Sequence, residues 1–446
     1  MHDLAHEFTS RKISPWGGIK FFQQTYERSG TPSMLSSLDL PQPGSNRGYN
    51  PVEIVEGFLT SEVLGARRIS HMDWLRADEV LREIFKWDKG MASASTLCRF
   101  FNKFDLERSD RVFVELQRRW FEQIDVPQRM TIDVESTVIT RYGNQELAEI
   151  GYNPTRRGRP SHHPLMAFAA EMKMVVNAWQ RSGDSADALQ ADEFIDELFE
   201  ILNRDRIGLI RMDSGFYSDK IMNLLEGNGN PEKAVDYIVR AKLTSRLLEE
   251  VFNVRKWVSD GDVIKGASYG ELTYQGSKWK TARKIIVVRT SKEVVKEIQA
   301  NLFKEEDLFK QYDYKVFVTN VKMSPTVIHH LYNQRGDCEN RIKELKYDYG
   351  IDGFALQSFG AMEAAFRFVM LAYNLMALFK QIVMVNSAGR RLSTLRFQCI
   401  AIGSYLVKSG RNKKLKLAAE GKRRHFLEHF FSNLELLKAQ FQFSSA

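Results

Sequence analysis

Cysteine is scarce in this chain. There are three, Cys98, Cys338 and Cys399, odd in number, widely spaced and never in a Cys-x-x-Cys pair. That argues against a disulfide scaffold or a zinc knuckle and points to a reducing compartment. Long apolar runs are also missing. The most apolar stretch, residues 368–379, is too short to span a bilayer and is bracketed by Arg367 and Lys380, so no membrane partner is expected. The first residues, Met1-His2-Asp3-Leu4-Ala5-His6-Glu7, have neither the basic start nor the apolar run of a signal peptide, and the expected location is the cytoplasm. No internal repeat is present. His162-His163 and His329-His330 have no Cys or His at ligand spacing and read as surface or core histidines.

Charge of one sign is sparse over most of the chain but not everywhere. The net charge is +8, from 64 Lys and Arg against 56 Asp and Glu. Between Lys408 and Arg424, eight basic residues stand against Glu420 alone, so nearly all of the excess is one patch. Such a patch suits an anionic polymer, although a solvated charge run has the same composition. Arg411, Lys413 and Lys414 within it are candidate phosphate contacts. So are Arg156, Arg157 and Arg159 in the turn-dense basic segment 151–160.

With 446 residues, the chain has room for two or three domains. Residues 1–50, rich in Ser, Pro and Gly, are expected to form loops or an arm. Asn50-Pro51-Val52-Glu53 is a helix start, and the pattern stays helical to about residue 125. Ser93 caps a helix with Leu97, Phe100, Phe101 and Phe104 on one face and Arg99 and Lys103 elsewhere, either a groove-reading helix or a packing helix. Residues 130–139 alternate as a strand. Residues 144–150 and 164–177 are expected as a second and a third strand, and 186–203 as an amphipathic helix. Residues 207–213 read as a buried strand, followed by a helix at 218–226 and a strand at 237–242. This is the order of an RNase H-like α/β core. Residues 244–322 then read as a β-rich insertion, with short strands near Trp257, 263–265, 270–275, 280–289 and 314–321. One helix is predicted over 327–347 and a buried one over 360–385, then a strand pair (395–407 and 413–418) and a basic helix. The expected division is a helical end-binding region (1–125), the core in two parts (126–243 and 323–390) around the insertion (244–322), and a basic C-terminal region (391–446) for DNA contact or dimerisation.

Tyr332, Arg335, Glu339, Lys343 and Lys346 fall within roughly 40° of one line on a helix. By pattern alone this is an exposed face laced with ion pairs. Two further acids change its weight. Asp133 lies mid-strand among Ile132, Val134 and Val138, and Asp213 ends a buried strand, where open α/β sheets place their sites. Three acids brought together repel by about 4 kcal/mol per close pair at an effective dielectric near 20. A carboxylate trio therefore implies Mg2+ or Mn2+, and phosphodiester cleavage commonly uses two such ions about 4 Å apart.

The spacing Tyr332-x2-Arg335-x3-Glu339-x6-Lys346 is similar to the signature of a large group of bacterial insertion-sequence transposases of the DDE type. Thr131-Ile132-Asp133-Val134-Glu135-Ser136-Thr137, Gly151-Tyr152-Asn153-Pro154 with Gly158-Arg159-Pro160, Arg211-Met212-Asp213-Ser214-Gly215-Phe216, Phe317-Val318-Thr319-Asn320 and Leu371-Ala372-Tyr373-Asn374-Leu375 resemble the same group, in the same order. The resemblance implies an RNase H-like core with Asp133, Asp213 and Glu339 as catalytic residues and metal ligands. It also implies binding of terminal inverted repeats, Mg2+-dependent cleavage of double-stranded DNA, joining of 3′ ends to a target, and a homodimer in the synaptic complex, near the bacterial nucleoid. The 126 residues between Asp213 and Glu339 match a β-rich insertion as in relatives that pass through a DNA hairpin. Tyr332, Arg335, Lys343 and Lys346 would contact phosphates. Trp257 and Trp279 would stack on an unstacked base, unless each fills the insertion's small core. One departure is Glu135, where many relatives would have Asp; it shares a strand face with Asp133 and either supports the site or substitutes in it. A DNA-binding protein with a dead core, an assembly protein using the basic tail, and a resolvase or RNase H each leave some of these features unexplained.

Overall fold

The computed structural model describes residues 4–124, 126–259, 266–291, 312–354, 356–384 and 389–440. The strands are β1 (Ile13–Ser14), β2 (Met130–Ser136), β3 (Ile139–Thr140), β4 (Ser161–His162), β5 (Leu165–Ala169), β6 (Met174–Trp179), β7 (Ile207–Met212), β8 (Asp236–Arg240), β9 (Val258–Ser259), β10 (Ala267–Tyr274), β11 (Arg283–Ser291), β12 (Tyr312–Thr319), β13 (Ser404–Ser409) and β14 (Asn412–Leu417). The helices that matter below are α1 (Ile19–Arg28), α2 (Pro51–Leu64), α3 (Ala94–Phe101), α4 (Leu106–Gln123), α5 (Ala191–Leu202), α6 (Asp219–Leu225), α7 (Pro325–Asn333), α8 (Gly336–Tyr347), α9 (Phe359–Ile382) and α10 (Gly421–Gln440).

One sheet organises the molecule, in the order β6-β5-β2-β7-β8-β12-β11-β10-β9. β2, β7 and β8 run parallel and the other neighbours antiparallel. An antiparallel meander followed by parallel strands reached through α5 and α6 makes the first five strands an RNase H-like α/β core. Ile207–Met212 is buried along most of its length, as a strand covered on both faces must be. Residues 164–177 form the β5–β6 hairpin instead of one strand, and 144–150 form no strand. The segment expected as an insertion extends the core sheet. β12 pairs with β8 through Phe317↔Arg240, Val318↔Val239 and Thr319↔Ile238. Val316, Phe317 and Val318 are all buried, so β12 needs a strand beside it and layers over it. The strand expected at 263–265 lies outside the described residues.

α9 is the spine of the helical layer. Ser358 caps it by accepting from the Ala361 N–H (3.2 Å). Among the described residues it is the one helix long and apolar enough to cross a membrane, and that stretch is wholly buried inside the protein. Phe368 meets Phe113 edge-on at 4.7 Å and Phe104 at 6.1 Å, and Phe101 of α3 meets Phe58 of α2 edge-on at 5.0 Å. α3 thus spends its apolar face on packing and leaves Arg99, and Lys103 just beyond its end, on the surface. Buried charges on α9 are paired: Arg367 reaches Glu363 (2.5 Å) and Asp110 (3.2 Å).

The two chain ends fold together. Residues 1–50, expected as loops, contain α1, and β1 pairs with β13. Phe21 of α1 packs on Phe430 (5.5 Å) and Phe431 (4.7 Å) of α10. These contacts cross the expected boundaries at 125 and 391. Residues 395–403 are not strand, because Arg396 is drawn to the end of α2, where its guanidinium donates to the carbonyls of Val63 (2.7 Å) and Glu62 (2.9 Å).

Candidate active site

The parallel pair β2–β7 fixes the centre of the site. Asp133 lies opposite Arg211 and Val134 opposite Met212; the pairing ends there, with Glu135 and Asp213 the next residue on each chain segment. Side chains alternate along a strand, which puts Asp133 and Glu135 on one face. Their surroundings differ. Arg211 Nε and Nη2 donate to Asp133 Oδ1 (2.6 Å) and Oδ2 (2.9 Å), a two-pronged pair with both side chains almost fully buried. Arg211 Nη1 also donates to the Leu331 carbonyl (2.5 Å) near the end of α7. Asp133, expected as a metal ligand, therefore spends both carboxylate oxygens on Arg211, because the neighbouring strand places a buried guanidinium against it.

Glu135 is less deeply buried than Asp133 but still largely enclosed. Burial is the main cause pushing its carboxyl up to about 7; the charges of Asp213 and Glu339 push the same way, and Arg335 opposes them. Arg335 pairs with it directly. Asp213, just past β7, is half-buried and accepts from the Gly215 N–H (2.8 Å), the turn that ends the strand. Glu339, in the first turn of α8, is exposed. Hard oxygen donors of this kind suit a divalent cation. Among the described residues, however, no three Asp, Glu, His or Cys side chains lie close enough to hold one ion, so the acids share an electrostatic neighbourhood without forming a closed cage.

The predicted stripe is not one exposed face. The helix breaks at Gln334 and Arg335, and α7 and α8 replace the single helix expected over 327–347. Tyr332 packs on Phe317 (4.6 Å) and Arg335 is buried on Glu135. Lys346 Nζ donates to the Val138 carbonyl (3.0 Å), with burial lowering its pKa. Lys343 is exposed. Arg156, Arg157 and Arg159 are exposed on the loop between β3 and β4. Arg411 sits in the β13–β14 turn, with Lys413 and Lys414 exposed on β14, where Lys413 pairs with Glu83 (2.6 Å). Trp257 lies under Arg289 (3.9 Å), with its Nε1 donating to the Val254 carbonyl. Trp279 packs edge-on against Tyr217 and Tyr274. Both rings are half-buried in packing contacts of the β9–β12 region.

Arg211 carried no role in the sequence reading, and neither did Asp187. Ser136 Oγ donates to Asp187 Oδ1 (2.6 Å), and His163 Nε2 lies 3.2 Å from the same oxygen. The His163 hydrogen bond is the chief cause holding the Asp187 carboxyl below its ordinary range. A Cβ on Gly215 would fall 2.3 Å from Asp187 Oδ2, so the turn after Asp213 must be glycine to admit that carboxylate. Nothing local in the sequence marks Asp187, because its partners come from β2, the link between β4 and β5, and the turn after β7.

The pattern of the family described as Transposase DDE domain group 1 matches residues 2–439. Comparison with curated proteins gives no match. A solved structure described as a cryo-EM structure of the piggyBac transposase synaptic complex with hairpin DNA is similar, at 10% identity and a TM-score of 0.41, over 96% of this chain and 82% of that one.

Proposed function

Because the chain belongs to the Transposase DDE domain group 1 family, whose members cut and join DNA with divalent metal ions, we propose that it binds the terminal inverted repeats of a mobile element, hydrolyses the DNA there with Mg2+ and joins the freed 3′ ends to a target. Glu135, Asp213 and Glu339 are the acids assigned to the cations. The observation that supports this assignment is that the charges of Asp213 and Glu339 both act on Glu135, while both oxygens of Asp133 accept from Arg211. When bound, divalent cations activate water or a 3′-hydroxyl and stabilise the leaving oxygen.

The remaining residues position and charge the site. Asp133 locks Arg211, and Arg211 holds the end of α7 against β7, so the helix pair carrying Glu339 is fixed on the sheet. Arg335 offsets the repulsion that Glu135 feels from Asp213 and Glu339. Exposed Lys343 gives the site's rim a point charge for phosphate. Two element ends must be held at once, so a pair of chains does the work.

The test is cleavage of DNA carrying the element's ends, with Mg2+, by wild type and by Asp213→Asn, Glu339→Gln and Glu135→Gln. Wild type is expected to cut, and each variant to bind DNA with cleavage reduced at least about a hundredfold, the scale on which removing one transition-state electrostatic contact acts. Cleavage at the wild-type rate by Glu135→Gln would remove it from the site.

A further inference from the structure

A polar cavity of about 330 Å3 opens along α8, the helix that carries Glu339. Five cations line it, Lys173, Arg341, Lys343, Lys380 and Arg391, against two acids, Asp337 and Glu344. Three of the cations are committed. Arg341 pairs with Asp337, buried Lys380 with Glu344 (2.8 Å), and Arg391 with Asp348 (3.3 Å). Among the described residues neither Lys173 nor Lys343 has an ion-pair partner. With the other three cations each matched by an acid, the two uncommitted ammonium groups make up the cavity's positive excess.

Lys173 is held there by its backbone. It sits in the β5–β6 turn at φ 55°, the left-handed region that favours Gly or Asn. The turn is pinned from both sides. The Gln381 side-chain amide of α9 donates to the Met172 carbonyl, and the Glu171 carboxylate accepts from the Thr131 N–H (3.0 and 3.1 Å). The braced turn keeps Lys173 at the wall of the cavity.

We propose that this cavity binds a backbone phosphate of the DNA strand that runs past the active site, with Lys173 and Lys343 as its contacts. Lys343 is four residues beyond Glu339, about 6 Å along the helix axis, or roughly two nucleotides of rise in B-form DNA. A strand lying across Glu339 is thus directed toward the cavity. The proposal rests on the DNA-cutting function above and adds where the flanking strand is gripped.

The experiment measures full-length wild type, Lys173→Ala, Lys343→Ala, the double variant and Lys173→Arg for equilibrium binding to duplex DNA over a range of KCl. Each alanine should weaken binding equally on any sequence and lower the log–log salt slope by about 1, the double variant by about 2, as expected for lost phosphate contacts. Lys173→Arg should keep the wild-type slope. Wild-type slope and affinity in Lys173→Ala overturn the cavity while leaving the proposed function intact. A wild-type chain that binds no duplex overturns both. Inorganic phosphate forms the last arm: saturable phosphate binding lost in Lys173→Ala, with DNA binding unchanged, would make this a free-phosphate site and overturn the DNA assignment.

Discussion

Asp133 and Glu135 lie two residues apart on one face of β2, and what stands across from each decides its role. Asp133 faces Arg211, and the pair is closed and almost dry. Removing one charge of such a pair leaves the other uncompensated and costs about 3–5 kcal/mol. Asp133→Asn is therefore expected to lower the denaturant midpoint markedly, and Glu135→Gln, which takes the charge from the partner of buried Arg335, to lower it as well and to lose cleavage. Should Asp133→Asn unfold like wild type yet fail to cut, Asp133 belongs in the site and the choice of Glu135 is wrong. A different buried acid adds a pH dependence of its own. Glu56 Oε2 accepts from Trp87 Nε1 (2.7 Å), and burial lifts its carboxyl from 4.5 to about 8, against the Trp87 bond and helped by Glu27 and Glu53. The unfolded chain ionises this group near 4.5 while the folded chain keeps the proton to about 8. Its contribution to stability is therefore complete below pH 4.5 and is lost as pH rises through about 8. Glu56→Gln keeps an acceptor for Trp87 and removes the titration. Its stability relative to wild type should climb across that window by on the order of a few kcal/mol and then level off. A difference that does not change with pH in denaturant unfolding would refute this.

At the scale of elements, α9 closes the sheet as well as filling the core. β6 is an edge strand, and an open edge leaves backbone groups without partners. Asn374 fills one such gap: Val175 N–H donates to its Oδ1 (2.8 Å) and its Nδ2 donates to the Val175 carbonyl (2.7 Å). Asn374→Ala strands both groups in a buried place and should cost about 2–4 kcal/mol, with faster hydrogen exchange at the Val175 amide. Unchanged exchange there would show that the clamp does not hold the edge. The elements readable in the sequence were those decided locally. Asn50 accepts from the Val52 N–H (3.0 Å), and Ser93 and Ser324 cap α3 and α7, each as its capping pattern predicts. The β5–β6 hairpin was hidden because its turn uses Lys173 at positive φ in place of Gly or Asn. The break between α7 and α8 was hidden because the side chain at that break, Arg335, answers to Glu135, 200 residues away. Asp213 and Glu339 stood out through a strand end and a signature spacing. The choice between Asp133 and Glu135 depends on the parallel neighbour's Arg211, and no periodicity within β2 carries that.

Across the whole molecule, the basic C-terminal region is built into the same body as the N-terminal helices. β1 pairs with β13, and α10 buries Leu427, Phe430 and Leu434, with Phe430 against Phe21 and Phe379. Burying three such side chains contributes roughly 5–9 kcal/mol, comparable with the whole net stability of an ordinary domain, about 5–15 kcal/mol. A chain ending at residue 390 should therefore lose cooperative thermal unfolding and not merely DNA affinity. The exposed charges on the hairpin should behave in the opposite way. Arg411 and Lys414 sit in the β13–β14 turn and on β14, and Lys413 makes an exposed pair with Glu83, which is worth little in water. Replacing Arg411, Lys413 and Lys414 together by alanine should leave the melting temperature within a degree or two, since exposed changes of this kind fall within about 0.5 kcal/mol each. The same variant should weaken duplex binding and lower the salt slope by up to about 3. A triple variant that melts as wild type and binds DNA with the wild-type salt slope would assign this face to something other than DNA, while the truncation would still report on the fold.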